Sequence, residues 1–401
     1  MKAYINNNLI DYTSDKIRPI VAIDASRNRS GGAVTHLLGI LSALEPRDLG
    51  IAEVHVWSYA DLLSKLPDFP WLIKHNPKAL NKSLLFQVFW QRFKRPREIR
   101  AFGCNILLST DAGTLASFTP SIVMSRDMLS FEGNEMFRYP LFSFSRLRLL
   151  LLKWLQVRSL NVATATLFLT QYAADIIQLY TKNLEIIRII PHGISDNFRR
   201  NYFFTSWDDS KRVIRCTYVS NADLYKHQWN VVEAIAMLRQ SGYNVSLNLV
   251  GAGSGPAVNK VLKSIKKFDQ DNIFINLLPS IKHENIANYL FETDIFIFAS
   301  SCENMPNTLI EAMAAGLPIA CSNRGPMPEI LQSGGVYFNP EDSNSIFEAV
   351  REIIINEPLR REVSFIASER SKLFSWQRCA KETWLYLADV LSAHVHRSGL
   401  K

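Results

Sequence analysis

Residues Ile295–Pro328 read IFIFASSCENMPNTLIEAMAAGLPIACSNRGPMP. The stretch begins with an apolar, β-rich run and returns to one after Gly316, with the signals of a helix between the two. Pro306 suits the first helical position, where its missing N–H costs nothing, and Gly316 with Pro318 is typical of a helix end. The stretch therefore predicts a strand, a loop, a helix over 306–315 and a second strand.

The same alternation of short apolar runs and helix-length segments extends over the rest of the chain. A first series of predicted strands is Ile20–Asp24, Val54–Trp57, Ile106–Leu108, Ile122–Met124, Ala165–Leu169 and Ile186–Ile190. A second series is Val213–Val219, Val245–Val250, Ile273–Leu277, Ile295–Phe298, Pro318–Cys321 and Val336–Phe338. Alternating strands and helices form parallel sheets covered on both faces. We therefore expect an α/β fold with two Rossmann-like, doubly wound domains.

The join between the two series lies near Ser195–Lys211, which is polar, aromatic and without periodicity. We expect an N-terminal domain at 1–198, a C-terminal domain at 210–375 and a last helix at 376–401 that could pack back on the first domain. Ligands of doubly wound sheets bind beyond the carboxyl ends of the strands, so two facing domains would form a binding cleft.

Composition excludes several protein classes. Of 401 residues, 47% are hydrophobic and 20% charged, which is typical of globular proteins and not of disordered or collagen-like chains. No apolar run is long enough to span a membrane, and Met1–Ser26 lacks the pattern of a secretory signal, so we expect a cytoplasmic protein. The cysteine number is odd and no C-x-x-C pair occurs, which argues against zinc or disulfides and predicts buried thiols.

Positive charge is concentrated in the first half of the chain. Met1–Arg200 carries a net charge of +9 and the remainder −1, within a total of +8. This asymmetry suggests an anionic partner, which could be a nucleic acid, an acidic membrane or a phosphate-bearing substrate. Composition alone does not choose among them.

Two carboxylates flank the predicted helix start in Ile295–Pro328. Glu303 stands on the loop before the helix, and Glu311 lies about 7–8 Å further along the helix axis. The N–H groups of Asn307 and Thr308 are suited to a phosphate, while the carboxylates can accept hydrogen bonds from sugar hydroxyls. This arrangement favours a nucleotide-sugar as ligand.

In this stretch the sequence resembles the retaining glycosyltransferases of family 4, among the group 1 glycosyltransferases. Their E-x7-E signature is matched by Glu303 and Glu311, followed by the AMAAGLP of Ala312–Pro318. Weaker matches in the family's order are Ser30–Gly32, Ile190–Gly193, Val250–Gly253 and Phe374–Trp376. The resemblance implies the GT-B fold, with 1–198 as the acceptor-side domain and 210–375 as the donor-side domain. It also implies hexose transfer with retention, and neither a metal nor a resident cofactor.

The resemblance also implies roles for single residues. Glu303 would contact the donor sugar, Glu311 the ribose hydroxyls, and the amides near Asn307 and Thr308 the sugar or pyrophosphate. Lys226 matches the family lysine, and its ammonium can neutralise a departing diphosphate.

The sequence departs from the family pattern beside this lysine. Ser220 and Asn221 replace the usual Gly-Arg, which removes one positive charge at the pyrophosphate, and Arg324 is a candidate substitute.

Glycine pairs after two predicted strands are further donor-binding candidates. Gly31 and Gly32 would let backbone N–H groups approach a diphosphate or sugar, although an ordinary tight turn has the same sequence. Gly251 and Gly253 would similarly abut the base or ribose, in a pattern that is common after strands.

Arg126 and Asp127 are candidate catalytic residues because they end a strand where the family often has His-Asp. Asp127 could bind the acceptor or cap the following segment.

The basic half of the chain also suggests contact with a membrane surface. Five of the nine residues in Arg92–Arg100 are Lys or Arg, and aromatic residues precede them, so 86–100 could dock on acidic headgroups. The apolar stripe of Phe142–Leu160 could be either a second such helix or a core helix with snorkelling arginines.

Taken together, the residues and the resemblance predict an enzyme acting with a UDP- or GDP-linked sugar and a glycan or lipid-linked acceptor. The expected setting is bacterial surface polysaccharide assembly at the inner face of the plasma membrane. The rivals are another GT-B enzyme, either a nucleotide-sugar epimerase or a phosphorylase, and a basic nucleic-acid-binding protein using Arg92–Arg100. Nucleic-acid binding is disfavoured because the aromatic residues beside that segment form one helical pattern instead of a stacking platform.

Overall fold

The structure is a computed structural model that describes residues 18–29, 31–115, 118–200, 207 and 212–398. Ser30 and much of the predicted linker lie outside the described residues. The chain forms two compact units. The first unit comprises the described parts of Met1–Phe131, Phe142–Gly193 and Trp376–Lys401, and the second comprises the described parts of Glu132–Leu141 and Ile194–Ser375.

Thirteen strands run through the described residues. They are β1 (Ile20–Asp24), β2 (Glu53–Trp57), β3 (Leu72–His75), β4 (Ile106–Ser109), β5 (Ser121–Met124), β6 (Ala165–Phe168), β7 (Ile187–Ile189), β8 (Ile214–Val219), β9 (Val245–Ala252), β10 (Ile275–Pro279), β11 (Ile295–Phe298), β12 (Ile319–Ser322) and β13 (Val336–Phe338).

Fifteen α-helices lie between and after these strands in the described residues. They are α1 (Gly32–Ser42), α2 (Ala60–Leu63), α3 (Leu84–Phe89), α4 (Arg95–Ala101), α5 (Gly133–Met136), α6 (Phe144–Val162), α7 (Gln171–Gln178), α8 (Gln228–Gln240), α9 (Pro256–Phe268), α10 (His283–Phe291), α11 (Asn307–Ala314), α12 (Met327–Leu331), α13 (Ser343–Ile355), α14 (Glu357–Ser371) and α15 (Trp376–Ser398).

Each unit is built on one parallel sheet. The first sheet has the strand order β3-β2-β1-β4-β5-β6-β7, and the second has the order β10-β9-β8-β11-β12-β13. Strands β4, β5 and β6 of the first sheet are buried throughout, as are β11 and β12 of the second. Continuous apolar runs form such strands because both faces of the sheet are covered. The predicted class of two doubly wound α/β sheets is confirmed.

Two local predictions need correction. Strand β3 (Leu72–His75) was not predicted, because it is a four-residue edge strand whose Lys74 and His75 break the apolar pattern. Helix α11 begins at Asn307, so Pro306 precedes the helix and does not occupy its first turn. The Pro306 carbonyl accepts hydrogen bonds from the backbone N–H of Leu309 and of Ile310, which makes it the cap.

The last helix, α15, is part of the first unit. Its Trp384 is fully buried, and the Tyr386 hydroxyl donates to the Thr166 carbonyl of β6 at 2.9 Å. At its start, the Trp376 ring lies so close to Gly39 of α1 that no larger residue fits at position 39 without movement. The close approach of α1 and α15 therefore depends on a glycine.

The long helix α6 carries its apolar stripe on the surface of the protein. Leu147, Leu151 and Trp154 are each more than half exposed, at 67%, 57% and 58%. The alternative of a core helix is therefore wrong for this face, although Leu149 and Leu160 on another face are buried.

The basic segment Arg92–Arg100 is only partly a surface. Arg95 is completely buried, where it pairs with Asp24 and donates to Thr114 Oγ1 at 3.1 Å. Arg95 therefore cannot contact a membrane, since removing it from Asp24 would leave a buried carboxylate unpaired. Phe86 and Phe89 remain about half exposed.

All five cysteines are free and buried, as predicted; they are Cys104, Cys216, Cys302, Cys321 and Cys379. Within the part of the chain that the structure describes, no helix combines the length and apolarity needed to cross a membrane.

The contact between α1 and α15 leads to a stability prediction. Gly39→Ala should destabilise the protein by about 1–3 kcal/mol, because the added methyl overpacks against Trp376. Gly133→Ala, at the start of α5, is the matched control: its Cβ would meet only Phe137, at 3.9 Å. The control should be neutral or stabilising by up to about 1 kcal/mol. Urea unfolding measures both values, and equal stability of the two variants would contradict the tight contact.

Candidate functional site

The second sheet brings two of the predicted residues together at the carboxyl ends of its strands. Strands β8 and β11 are parallel neighbours, so the loops that follow them lie side by side. Lys226 ends a 3-10 turn after β8, and Glu303 lies in the loop after β11. Their side chains, only 13% and 16% exposed, form an ion pair between Lys226 Nζ and Glu303 Oε1. The two groups neutralise one another in the unliganded site.

The turn that carries Lys226 is held by hydrogen bonds on several sides. Asp223 accepts from the Leu224 N–H at 2.7 Å, which caps the turn. The Tyr139 hydroxyl donates to the same Asp223 carboxylate at 2.9 Å. The Tyr218 hydroxyl donates to the Lys226 carbonyl at 3.0 Å. The lysine backbone is therefore fixed, and its side chain can change partners without moving the loop.

Glu311 is a buried carboxylate with only one oxygen satisfied. It lies on α11 and is 5% exposed. Its Oε1 is 2.7 Å from His283 Nε2, and this hydrogen bond raises the pKa of His283 against the effect of burial. Its Oε2 is buried and accepts no hydrogen bond from any residue that the structure describes. A buried acceptor without a donor is costly, so Oε2 is suited to receive a hydroxyl from a ligand.

The N-terminus of α11 presents backbone amides beside these carboxylates. Pro306 supplies no capping side chain, and the first turn contains no acidic residue that would occupy the positive end of the helix. Asn307 and Thr308 are half-buried in that turn. The helix start is therefore suited to an anion.

Gly251 has a structural reason to be glycine. Its φ is +108°, and a Cβ there would lie 2.8 Å from the Ser220 carbonyl oxygen. The loops after β8 and β9 can approach only because this side chain is absent. By contrast, a Cβ on Gly253 would meet no atom within 4 Å, so the space beside Gly253 is open.

Asn221, which stands where the family has an arginine, and Arg324, its candidate substitute, both lie on the surface. Asn221 is exposed. Arg324 is also exposed, and its guanidinium donates to Asn339 Oδ1 at 3.5 Å. The loop itself lies near the site, because a Cβ on Gly325 would be 3.9 Å from the Glu303 nitrogen.

A second polar cluster in this unit joins α5 to the loop after β13. The side chains of Glu135, His227 and Glu341 each place one atom that could ligate a metal within 4.8 Å of the others. The guanidinium of Arg138 pairs with Glu135 at 2.6 Å and with Glu341 at 2.5 Å, so a cation is already supplied by the chain. Burial lowers the pKa of His227 to about 4, and its Nε2 bonds Ser301 Oγ at 2.8 Å. The cluster fixes the segment that carries Tyr139.

The first unit places its candidates at the carboxyl edge of its own sheet. Gly31 precedes α1 with a φ of +61°, in the left-handed region that favours glycine, and Gly32 begins the helix. Asp127 accepts from the Leu129 N–H at 3.1 Å and from the Ser130 hydroxyl at 2.8 Å. It also accepts from the Gln156 amide at 3.0 Å. These hydrogen bonds are those expected if Asp127 caps the segment that follows it, which was one of the two roles considered for this residue.

Arg126 is set differently from its neighbour. Its Nη2 donates to Asn28 Oδ1 at 3.3 Å and lies 4.0 Å from Asp111 Oδ2. Its Nε and Nη1 are buried and donate to no residue that the structure describes.

Three residues that hold the site of the second unit were not predicted from the sequence. His283 orients Glu311 from α10, while Asp223 and Tyr139 fix the lysine turn. Asp223 carried a usable signal, since an aspartate followed by a short turn is typical of a cap. His283 and Tyr139 carried none, because both contacts join segments that are far apart in the sequence.

Comparison with known proteins shows which family this chain resembles. Residues 203–370 match the family model for the group 1 glycosyl transferases. The chain is 24% identical over 110 residues to the O-antigen chain mannosyltransferase B of Escherichia coli, which is 27% of this chain and 29% of the relative.

A second relative is the N-acetylgalactosamine-N,N'-diacetylbacillosaminyl-diphospho-undecaprenol 4-alpha-N-acetylgalactosaminyltransferase of Campylobacter jejuni. It is 25% identical over 172 residues, 42% of this chain and 45% of that protein. The chain thus spans less than half the length of these curated relatives.

Among solved structures, the Anabaena protein HepE in complex with UDP superposes with a TM-score of 0.69. The match has 18% sequence identity and covers 92% of this chain and 100% of that one. The likeness concerns the fold, and two parallel sheets with this connectivity match the GT-B architecture.

The pair of Glu311 and His283 leads to a prediction about pH. The pKa of His283 is raised in the folded protein above its value of about 6.5 in the unfolded chain. The pair therefore makes its full contribution to folding stability at pH values below about 6.5. That contribution is lost as the pH rises through the raised pKa. The stability difference between wild type and His283→Gln should therefore be larger below about pH 6.5 than above it, and should shrink as the pH rises through the raised pKa.

Urea unfolding at a series of pH values measures this difference, which should be modest because the His283 side chain is 45% exposed. A difference that grows with pH would show that the imidazole is not protonated beside Glu311.

Proposed function

We propose that this chain, which carries a group 1 glycosyltransferase domain over residues 203–370, transfers a hexose from a nucleotide-sugar to a glycan or lipid-linked acceptor. The observation that carries the proposal is the buried Oε2 of Glu311, which lacks a donor among the described residues. A ribose hydroxyl can supply that donor. Glu311 would then bind the nucleotide while His283 holds its other oxygen.

The ion pair of Lys226 and Glu303 is the second support. A diphosphate near the start of α11 would attract the Lys226 ammonium away from Glu303, since it carries more negative charge than one carboxylate. Glu303 would then be free to accept hydrogen bonds from hydroxyls of the donor sugar. Donor binding would thus exchange one ion pair for another, and the site need not leave a charge unpaired in either state.

We propose retention at the anomeric carbon as the stereochemical course. The bond from the anomeric carbon to the phosphate oxygen breaks while the acceptor oxygen bonds to the same face. The acceptor proton passes to the departing phosphate oxygen. Lys226 and the positive end of α11 stabilise the diphosphate as its charge develops, and this stabilisation lowers the barrier. In this proposal the nucleotide-sugar is a substrate, and no metal or resident cofactor takes part.

The donor nucleotide is UDP or GDP in this proposal, and the complex of HepE with UDP supports the first. Gly253, beside which the space is open, is a further candidate donor contact. The O-antigen and undecaprenol-linked relatives support a polysaccharide or a lipid-linked glycan as acceptor. We propose bacterial surface polysaccharide assembly as the setting, on the cytoplasmic side of the plasma membrane.

Peripheral membrane contact through 86–100 belongs to the same proposal. Phe86, Phe89 and Phe93 are each at least half exposed, and Lys94, Arg97 and Arg100 nearby are exposed cations. Aromatic rings beside cations suit an interface that contains anionic lipids. The exposed stripe of α6 offers a second apolar surface in the same unit.

Nucleotide binding tests the donor site directly. At 100 times its dissociation constant, the correct nucleotide-sugar should stabilise the wild type by about 2.7 kcal/mol. Glu311→Gln should raise the dissociation constant about 10- to 100-fold, because it weakens a charge-assisted hydrogen bond. Thermal shift with UDP-, GDP-, ADP- and TDP-sugars measures both effects, and Glu348→Gln, an exposed carboxylate of the same unit, is the matched control.

Ligands with and without phosphate distinguish the role of Lys226 from that of Glu311. Lys226→Met should weaken binding of the nucleoside diphosphate but leave binding of the free nucleoside unchanged, whereas Glu311→Gln should weaken both. If both variants bind every ligand as the wild type does, the donor site lies elsewhere.

Vesicle binding tests the membrane contact. The wild type should sediment with vesicles that contain phosphatidylglycerol and less with pure phosphatidylcholine, and added salt should reduce binding. Replacing Phe86 and Phe89 by Ser should release the protein, whereas Phe365→Ser, an equally exposed phenylalanine of the second unit, should not. Unchanged sedimentation of the double variant would refute contact through 86–100.

A further inference from the structure

The carboxyl edge of the first sheet collects more arginines than carboxylates. The loops and helices at this edge contribute Arg27, Arg29, Arg95 and Arg126 against Asp24, Asp111 and Asp127. Asp127 accepts from Leu129, Ser130 and Gln156 instead of from an arginine. Arg95 and Asp24 form a completely buried pair and cancel. Arg29 stacks on the Tyr59 ring, with its guanidinium carbon 3.2 Å from the ring centroid. Two arginines, Arg27 and Arg126, are left to share one carboxylate.

Asp111 does not satisfy both of these arginines. Its Oδ1 is 2.9 Å from Arg27 Nε and also accepts the Gly113 N–H at 2.7 Å. Its Oδ2 is 4.0 Å from Arg126 Nη2, which is too long for a hydrogen bond. The pair therefore carries an uncompensated positive charge.

Arg126 lacks more hydrogen-bond acceptors than Arg27 does. Its Nη2 donates to Asn28 Oδ1 at 3.3 Å, and Asn28 is itself fixed by hydrogen bonds with Thr110 at 2.9 Å and with Ala33 at 3.1 Å. Nε and Nη1 are buried and donate to no described residue. Burial and the nearby Arg27 lower the pKa of Arg126, while Asp111 raises it. Since a guanidinium stays protonated, the missing acceptors destabilise the unliganded protein.

The surroundings leave room for a ligand. The Arg27 side chain is about one third exposed, and its guanidinium lies against Gly113, where a Cβ would be 3.0 Å from the guanidinium carbon. Beside these residues the eleven-residue helix α1 begins, without an acidic residue in its first turn. A Cβ on Gly31 would meet no atom within 4 Å, so the helix start faces open space. Guanidinium groups near a helix N-terminus favour an oxyanion.

We propose that Arg27 and Arg126 form a binding site for an oxyanion, a phosphate or a carboxylate, that is carried by the acceptor. The assignment to the acceptor rests on the proposed function, in which Lys226 and α11 of the second unit hold the donor diphosphate. The acceptor is therefore an acidic glycan or a phosphorylated lipid carrier, and a neutral sugar is a poor acceptor. The oxyanion supplies the acceptors that Arg126 lacks.

The test titrates the full chain with inorganic phosphate and, separately, with glucuronate, at constant ionic strength, by calorimetry. The wild type should bind one of the two, which distinguishes a phosphate-bearing from a carboxylate-bearing acceptor. Arg126→Gln and Arg27→Gln should each weaken that binding about 10- to 100-fold. Arg47→Gln, an exposed arginine of the same unit paired with Glu45, should bind as the wild type does.

Thermal unfolding separates a binding role from a structural one. Without ligand, Arg126→Gln should melt at the same temperature as the wild type or higher, because the variant no longer buries unsatisfied donors. Lower stability of the unliganded variant together with unchanged anion binding would overturn the proposal. So would equal anion affinity in wild type, Arg126→Gln and Arg27→Gln.

Competition with nucleotides distinguishes this site from the donor site. Phosphate or glucuronate binding should persist in Glu311→Gln and in the presence of a saturating nucleotide. Displacement of the anion by UDP or GDP would overturn the acceptor assignment, since the donor would then occupy Arg27 and Arg126. Anion binding without any nucleotide binding would keep the oxyanion site and refute the proposed function.

Discussion

Parallel strands place every loop that follows a strand at one edge of their sheet, and both candidate sites of this chain are built from such loops. In the second unit, the neighbouring strands β8 and β11 bring Lys226 against Glu303, although the two residues are 77 positions apart in the sequence. In the first unit, the same rule gathers Arg27, Asp111 and Arg126. The chemistry of each site follows from which side chains stand at those loop positions.

Both sites also contain buried polar atoms that the described residues leave unsatisfied. Glu311 has a buried acceptor without a donor, and Arg126 has buried donors without acceptors. Folding is marginally stable overall, so such groups are a measurable cost. A ligand hydroxyl at Glu311 and a ligand oxyanion at Arg126 would remove that cost. The two sites therefore differ in the charge of the ligand group that would satisfy them.

The sequence predicted the parts of this structure that depend on local pattern. The β11-loop-α11 segment is where it was expected, because an apolar run, a proline and a Gly-Leu-Pro end each have a local physical meaning. Lys226 and Glu303 were identified separately, but their ion pair was not, since it depends on strand order. For Arg95 the local pattern was misleading. It was counted within a basic surface, but it is buried in an ion pair with Asp24, which lies 71 residues away in the sequence. The stripe of α6 could not be assigned from periodicity, because core and interfacial helices share the same spacing.

The most direct test is a crystal structure of the protein with UDP or GDP bound. We expect ribose hydroxyls within hydrogen-bond distance of Glu311 Oε2, the diphosphate at the start of α11, and Lys226 Nζ turned from Glu303 to a phosphate oxygen. A nucleotide bound away from Glu311, with the pair of Lys226 and Glu303 intact, would contradict this expectation.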